Sequence, residues 1–349
     1  MRARERRGGL RPPGASDLRW FWGKEAAVTE QRSTIEFQVD SGTIAALAAG
    51  PADGRGADGR GADGRGAGAA AGGAGKALIA ALPGGTYNAR YFDVAGSGQG
   101  SFLDLAAAGG YPVLSFDRPG YGASTALAPA DNTFTRHAEL LSAAITQAAA
   151  RVAADRVFLV GHSIGGMIAL MIAAADPDFR LIGLSVTGMG AVIRRPDAAD
   201  GRPGAADALA SLPPDETVDL PYDQRDLVMF GPEFTRTPAA IEASHLSYAP
   251  VPVRELIQAP RWPDDHLPDL APRIGVPVHN ALAEFDALWA STPANVEQFA
   301  KLLTAAPFVD ASIARSTGHS IDHHILGHAL HHRQLAFAEE CALWSRQQG

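Results

Sequence analysis

A serine hydroxyl is a poor nucleophile, and a serine inside an ordinary helix or strand cannot reach a substrate. Ser163 sits where that limit is lifted. Four strand-formers, Val157 to Val160, run into Gly161-His162-Ser163-Ile164-Gly165, and then into IALMIAAA (168–175), an aliphatic run that reads as helix. On a sharp strand-to-helix turn the Oγ stands clear of the backbone, and glycines two positions either side remove the side chains that would clash at so tight a corner. The helix that starts there also directs free backbone N–H groups, including that of Ile164, toward an oxyanion beside Ser163.

Such a nucleophile needs a base, and the base an orienting acid. His319 follows the last predicted strand, in STGHS, on a loop after a glycine, and Asp286 follows the strand before it, in AEFDALW. Both fall past the carboxyl ends of strands, the edge where open parallel sheets hold their ligands and to which the turn delivers Ser163. Glu284 is the competing acid, two residues earlier; Asp286 lies further into the loop and is preferred, with a helix N-cap as its non-chemical reading. Asp117 reads as a turn-stabilising carboxylate and His162 as a packing residue beneath the turn. The rival signal is a run of histidines, His319, His323, His324, His328, His331 and His332, beside Asp322. His324 and His328 are four apart, as two ligands on one helical face would be. H-E-x-x-H is absent, so these residues are expected to pack around the site or face solvent, with adventitious zinc or nickel binding open to them and no metal in the chemistry.

The elements that must position these side chains follow from the hydrophobic pattern. Ser33 to Val39 and Thr43 to Ala49 read as a hairpin around Asp40-Ser41-Gly42. Strands are then expected at Ala77–Leu82, Tyr111–Phe116, Arg156–Val160, Leu181–Val186, Pro277–Ala283 and Ala311–Ser316. Helices are expected at Ser101–Ala108, Thr133–Ala153, Gly165–Ala175, Thr292–Ala305 and Ile321–Trp344. Short apolar strands alternating with helices argue for a mostly parallel sheet covered on both faces. Residues 1–30, rich in Arg, Gly and Pro, read as a disordered leader or as sequence from a misassigned upstream start. The three ADGRG repeats and the Ala/Gly tract after them, 51–75, lack the large apolar side chains needed to offset ordering entropy and read as a low-complexity loop between two strands. Within a single domain over 31–349, residues 191–272 interrupt the alternation. Short helices are expected there near Ala205–Leu212, Gln224–Met229 and Pro238–Ser247, which is the pattern of an inserted cap.

The 349 residues carry 46% hydrophobic and 19% charged side chains, a composition suited to a sizeable core. A net charge of −8 and a pI of about 5.7 give no support to nucleic-acid or anionic-membrane partners. The single cysteine, Cys341, excludes an intrachain disulfide and a cysteine-based metal site. The basic N-terminus is not followed by an apolar core of signal-peptide length, and no apolar run is long enough to span a bilayer, so a cytoplasmic location is expected.

Four blocks in order resemble the α/β-hydrolase superfamily from Ser33 to the C-terminus. LPGGTYN (82–88) is similar to its His-Gly oxyanion loop, with Pro83 where the histidine usually stands. FDRPGYGAS (116–124) is similar to its D-x-P-G-x-G-x-S turn. VGHSIGG is the nucleophile elbow, and AEFDALW with STGHS supplies acid and base in the order expected for a Ser163–Asp286–His319 triad. The resemblance implies an oxyanion hole from the backbone N–H of Ile164 and that of Gly85, or of Thr86 if the loop is aligned one residue later. It also implies a serine hydrolase without a cofactor, acting on a small to medium acyl substrate, a carboxylic ester first. A thioester, a lactone, a C–C diketone or perhydrolysis would use the same triad. Trp262, Leu246, Tyr248, Met229 and Phe230 are expected to offer the cap's apolar surface above the serine. A non-catalytic small-ligand binder on the same fold and a metal-dependent hydrolase are the rivals from other classes.

Overall fold

The parallel sheet expected from the sequence forms, and its strand order explains how the site is assembled. The computed structural model describes residues 32–50, 75–95, 100–194 and 212–348. Chain contacts cluster into Met1–Gln31, which lies outside the described residues, and Arg32–Gly349, to which everything below belongs. The strands are β1 (Ser33–Val39), β2 (Gly42–Ala49), β3 (Leu78–Leu82), β4 (Val113–Phe116), β5 (Val157–His162), β6 (Leu181–Thr187), the short β7 (Thr217–Val218) and β8 (Val251–Pro252), β9 (Val278–Ala283) and β10 (Val309–Ala314). Eight of them make one sheet in the order β1-β2-β4-β3-β5-β6-β9-β10. Only the β1–β2 and β2–β4 pairs are antiparallel. The other five neighbouring pairs are parallel.

Burial follows position in the sheet. In the edge strand β1, Ile35 and Phe37 are buried while Thr34, Glu36 and Gln38 are exposed, the period of a half-wet strand. The central strands β3 and β5 are buried throughout, as expected where helices cover both faces. Their side chains alternate between two cores. Leu78, Ala80, Val157 and Leu159 join the core that includes residues of α2 (Phe134–Arg151), α3 (Ile164–Ala174) and the helix 293–302. Ile79, Ala81, Phe158 and Val160 join the core formed with α1 (Phe102–Ala108) and the C-terminal helix, including Phe337 and Cys341. Helix starts follow their caps. Ser101 and Asp104 form a reciprocal capping box on α1, and Thr133 caps α2.

Between β6 and β9 the chain leaves the sheet, as expected, but its parts do not all face the serine. α4 (Tyr222–Met229) and α5 (Pro238–Ser244) match the expected helices. The helix expected at Ala205–Leu212 lies almost wholly outside the described residues. Three short helices were not anticipated: α6 (Val253–Gln258), α7 (Trp262–Asp265) and α8 (Leu267–Leu270). Their prolines and acids read as loop, yet proline is tolerated in a first helical turn. Trp262, expected over the serine, is instead buried in the core on the α2–α3 side with Leu267 and Leu270. Leu246 is 72% exposed and covers nothing. After β9 come α9 (Pro293–Leu302), β10 and a final α10 (Gly327–Gln348). The single last helix expected from Ile321 is broken: Ile321–His323 is one 3-10 turn, and α10 starts only at Gly327. Among the described residues no helix is long and apolar enough to cross a membrane.

The described residues on either side of 51–74 lie at the same end of the sheet. Ala49 and Ile79 both pair with Val113, from opposite sides of β4. They are therefore about 10 Å apart, two inter-strand spacings, a gap that about four extended residues bridge. Replacing 51–74 by a six-residue Gly-Ser linker is expected to leave the fold intact. Stability should rise by roughly 1 kcal/mol, since the closed loop shortens by two doublings. Urea denaturation of the shortened chain checks this, and a loss of several kcal/mol would show that the segment carries structure.

Candidate active site

β5 ends at His162 and α3 starts at Ile164, so Ser163 is the whole of the turn. Its backbone sits at φ 52°, ψ −120°, a left-handed φ that costs a non-glycine residue of order 1–3 kcal/mol. Neighbouring contacts leave little alternative. A Cβ on Gly161 would lie 2.6 Å from Gly165 O, and one on Gly165 only 2.0 Å from Leu82 O. The Ser163 N–H donates to Thr187 O of β6 at 2.7 Å, and its carbonyl accepts from Gly166 and Met167 in the first turn of α3. The side chain is thereby set at the carboxyl edge of the sheet.

The loops after β9 and β10 bring the other two residues to it. His319 Nε2 lies 3.0 Å from Ser163 Oγ, and His319 Nδ1 lies 3.0 and 3.2 Å from Asp286 Oδ2 and Oδ1. Oδ1 also accepts the backbone N–H groups of Leu288 and Trp289, which fixes the carboxylate's rotamer. One carboxylate thus both caps the turn at Leu288 and Trp289 and meets the His319 imidazole. Glu284 is exposed, and its Oε2 accepts the Ser316 N–H at 2.7 Å, closing the turn after β10. It does not contact His319. All three site residues are buried, with Ser163 the most open at 9% exposure.

The loop after β3 runs beside Ser163. A Cβ on Gly84 would lie 3.0 Å from Ser163 Cβ, and one on Gly85 would lie 2.8 Å from Ile164 Cδ1. Among the described residues the N–H groups of Gly85, Thr86 and Ile164 donate to no backbone acceptor. Thr86 has φ 64° and a buried hydroxyl without a partner. Where Pro83 replaces the expected histidine, the loop is gripped from another direction. Arg118, in the Asp-Arg-Pro-Gly turn, donates from Nε to Pro83 O at 3.1 Å and from Nη2 to Gly84 O at 3.0 Å. Asp117 takes the role expected of it, accepting the N–H groups of Ala89 and Ala123.

The histidines are packing and hydrogen-bonding groups. Among the described residues no cluster of three or more His, Cys, Asp or Glu side chains is arranged to hold a metal ion. His324 and His328 do not share a helical face, because His324 lies in the break before α10 with an extended backbone. His328 pairs instead with His332, Nε2 to Nε2 at 2.9 Å. His324 Nε2 accepts the N–H groups of Gly231 and Gly318, at 3.0 and 2.8 Å, while its Nδ1 faces Ser320 O at 2.8 Å. It is therefore a neutral Nδ1–H imidazole joining the His319 loop to the segment after α4. Burial pushes its pKa down to about 4. Burial does the same to His323, also to about 4, and holds His162 well below 6.5, with the charge of His319 adding to it. His162 packs beneath the turn as expected, stacked on Tyr91 with ring centroids 4.5 Å apart. Burial would raise the Asp322 pKa, but the hydrogen bond and charge of His331 hold it well below the carboxylate range. Of the apolar residues expected above the serine, Met229 and Phe230 do lie against the His319 loop: Met229 O accepts the Ser320 N–H at 2.9 Å, and the Phe230 ring is 5.5 Å from that of His324. Tyr248 packs on Tyr87 at 5.3 Å.

A sequence model of the alpha/beta hydrolase family matches residues 79–340. The chain belongs to that family. No curated protein matches it in sequence. Among solved structures it is similar to an esterase from Thermogutta terrifontis, at 17% identity over 91% of this chain and 98% of that one, with a TM-score of 0.56. It is also similar to the N-acyl homoserine lactonase AidH, at 14% identity over 89% and 97% with a TM-score of 0.58. A third is the thioesterase domain of the curacin biosynthetic pathway, at 15% identity over 87% and 99% with a TM-score of 0.56. At these identities the likeness is one of fold.

In this alpha/beta hydrolase the sequence located Ser163, Asp286, His319 and the glycine loop, and the fold brings all of them together. It did not point to Arg118, and it named His324 only as one half of a helical pair with His328. Arg118 carries one signal, the one cation in the FDRPGYGAS turn; nothing around His324 in the sequence announces its contacts with Gly231 and Gly318. The buried imidazoles set the acid response. With pKa values near 4 folded against 6.5 unfolded for His323 and His324, the unfolded chain binds protons in that window and the folded one does not. Stability therefore falls as pH drops from about 6.5 toward 4, by up to about 1.4 kcal/mol per pH unit for each histidine. Melting temperatures measured from pH 7.5 to 5 are expected to fall steeply below about pH 6.5. A flat profile would contradict this account.

Proposed function

We propose that this chain is a serine hydrolase that cleaves a small to medium acyl substrate, a carboxylic ester first, through a covalent acyl-enzyme. The observation that carries the reading is the continuous hydrogen-bonded line from Ser163 Oγ to His319 Nε2 and from His319 Nδ1 to Asp286. In it His319 removes the Ser163 proton as Oγ attacks the acyl carbon, while Asp286 holds the imidazole's tautomer and stabilises the imidazolium. The N–H groups of Gly85 and Ile164 receive the tetrahedral oxyanion, each contributing on the order of 3 kcal/mol. His319 then protonates the leaving group, and a water that it activates releases the acid. No cofactor enters these steps. The partner is the small acyl substrate; the acidic charge balance favours neither nucleic acid nor membrane.

The printed names of the three structural relatives span an esterase, a lactonase and a thioesterase. Esters, lactones and thioesters share an acyl carbon open to attack by an activated serine, which supports an acyl-transfer site here and leaves the ester as the simplest substrate. The intact line of three side chains weighs against a binding module that has lost its chemistry.

A fluorophosphonate probe is expected to label Ser163, equally with and without EDTA, and to leave Ser163→Ala unlabelled. On p-nitrophenyl esters of increasing chain length, Asp286→Asn should lower kcat by roughly 10³–10⁴-fold with the fold retained. Glu284→Gln should change it by less than about threefold, because that carboxylate only closes a turn. Activity abolished by EDTA would point to a metal hydroxide, and neither labelling nor turnover of esters, lactones or thioesters would sink the hydrolase reading.

A further inference from the structure

The oxyanion loop has two permissive residues at its centre. Gly84 and Gly85 have no Cβ to restrict them, and Pro83, where the family's histidine was expected, fixes only its own φ. A peptide plane between two glycines can rotate and turn its N–H away from the serine. Arg118 acts against that rotation. Its guanidinium is fully buried and donates to Pro83 O and Gly84 O. The Gly84 carbonyl belongs to the same planar trans peptide as the Gly85 N–H, so the two point in opposite directions. Holding the carbonyl on the Arg118 side therefore aims the Gly85 N–H the other way.

A buried cation needs a counter-charge, and the one Arg118 has comes from outside the sheet. Glu255, in the first turn of α6, places Oε2 2.9 Å from Arg118 Nη2 and is itself buried. The Tyr121 hydroxyl donates to the same Oε2 at 3.0 Å, and its ring lies 4.3 Å from the guanidinium. Behind the arginine, His137 presents Nδ1 to Nη1 at 3.3 Å while its Nε2 pairs with Asn132 Oδ1 at 2.6 Å. This fixes His137 as a neutral Nε2–H imidazole. The guanidinium is thus clamped on several sides, and its only carboxylate among the described residues arrives on the inserted segment.

We propose that Arg118 is the positioning residue of the oxyanion loop, setting the direction of the Gly85 N–H through the Gly84 carbonyl, and that Glu255 makes this setting depend on the seating of α6. The inference rests on the serine-hydrolase reading and adds to it a link between α6 and transition-state stabilisation.

The test compares wild type with Arg118→Met, Arg118→Lys and Glu255→Gln, each rate expressed per serine titrated by the fluorophosphonate so that unfolded protein does not count. Wild-type labelling at Ser163 establishes the underlying reading independently of the variants. Arg118→Met is expected to lose kcat by about 10- to 100-fold, a displaced rather than deleted donor, with KM changed less than threefold. Affinity for a boronic-acid transition-state analogue should weaken in step with kcat/KM, while affinity for the product carboxylic acid stays put. Arg118→Lys, which keeps the charge but not the two-carbonyl grip, should recover part of the loss. Glu255→Gln should lower kcat in the same direction. If Arg118→Met does not fold, Arg118→Lys and Glu255→Gln carry the same comparison. Per-serine kcat within twofold of wild type in the folded Arg118 variants would overturn the positioning role. A Glu255→Gln enzyme that loses stability but keeps full kcat would overturn the link to α6.

Discussion

The site depends on one van der Waals contact, that of Gly165 with the carbonyls ending β3. Only a hydrogen at this position lets α3 start so close to Leu82 and Pro83, and that closeness places the Ser163 turn beside the glycine loop. The left-handed backbone at Ser163 is the strain that results. It persists because α3 is buried along its length and β5 sits at the middle of the sheet, so relaxing the turn would unpack both cores. A larger residue at Gly165 would do more than add bulk. It would separate Ser163 from the loop that is proposed to stabilise the transition state.

Polar side chains buried around this turn are paired in ways that prescribe their protonation. His324 accepts two backbone N–H groups on one nitrogen, His137 faces a guanidinium, and His323 meets the Tyr91 carbonyl. Each is a neutral imidazole with its tautomer set by its neighbours. A sequence dense in histidine suggests metal; here a compact side chain that both donates and accepts joins loops from different strands, with His324 using both ring nitrogens and His323 only one. Asp322, between His331 and the Tyr91 hydroxyl, does the same for α10 and the loop before α1.

Local signals were legible in the sequence and distant pairings were not. The elbow is a contiguous pattern whose glycines, strand and helix all lie within about twenty residues, so Ser163 could be read directly. His319 and Asp286 were found because strands predict where their loops emerge. Trp262 and Leu246 were misplaced because hydrophobicity shows that a residue is buried, not which core receives it, and Leu246 is not buried at all. The last helix was drawn too early, since His323 and His324 fit a helical period while their partners, on Tyr91, Gly231 and Gly318, pull them out of it. Arg118 and Glu255 lie 137 positions apart, and nothing in either neighbourhood announces the other.

The strand directions give the molecule two ends with different tolerances. Ser163 and the loops bearing Asp286 and His319 lie at the carboxyl ends of the parallel strands, whereas Gly50 and Gly75 flank the opposite edge, beside the start of β4. Along β3 these edges are five residues apart, about 17 Å. A fluorescent protein, an affinity tag or a surface tether spliced between Gly50 and Gly75 would therefore hang from the side away from the serine. An insertion there leaves the edge that carries Ser163 unencumbered.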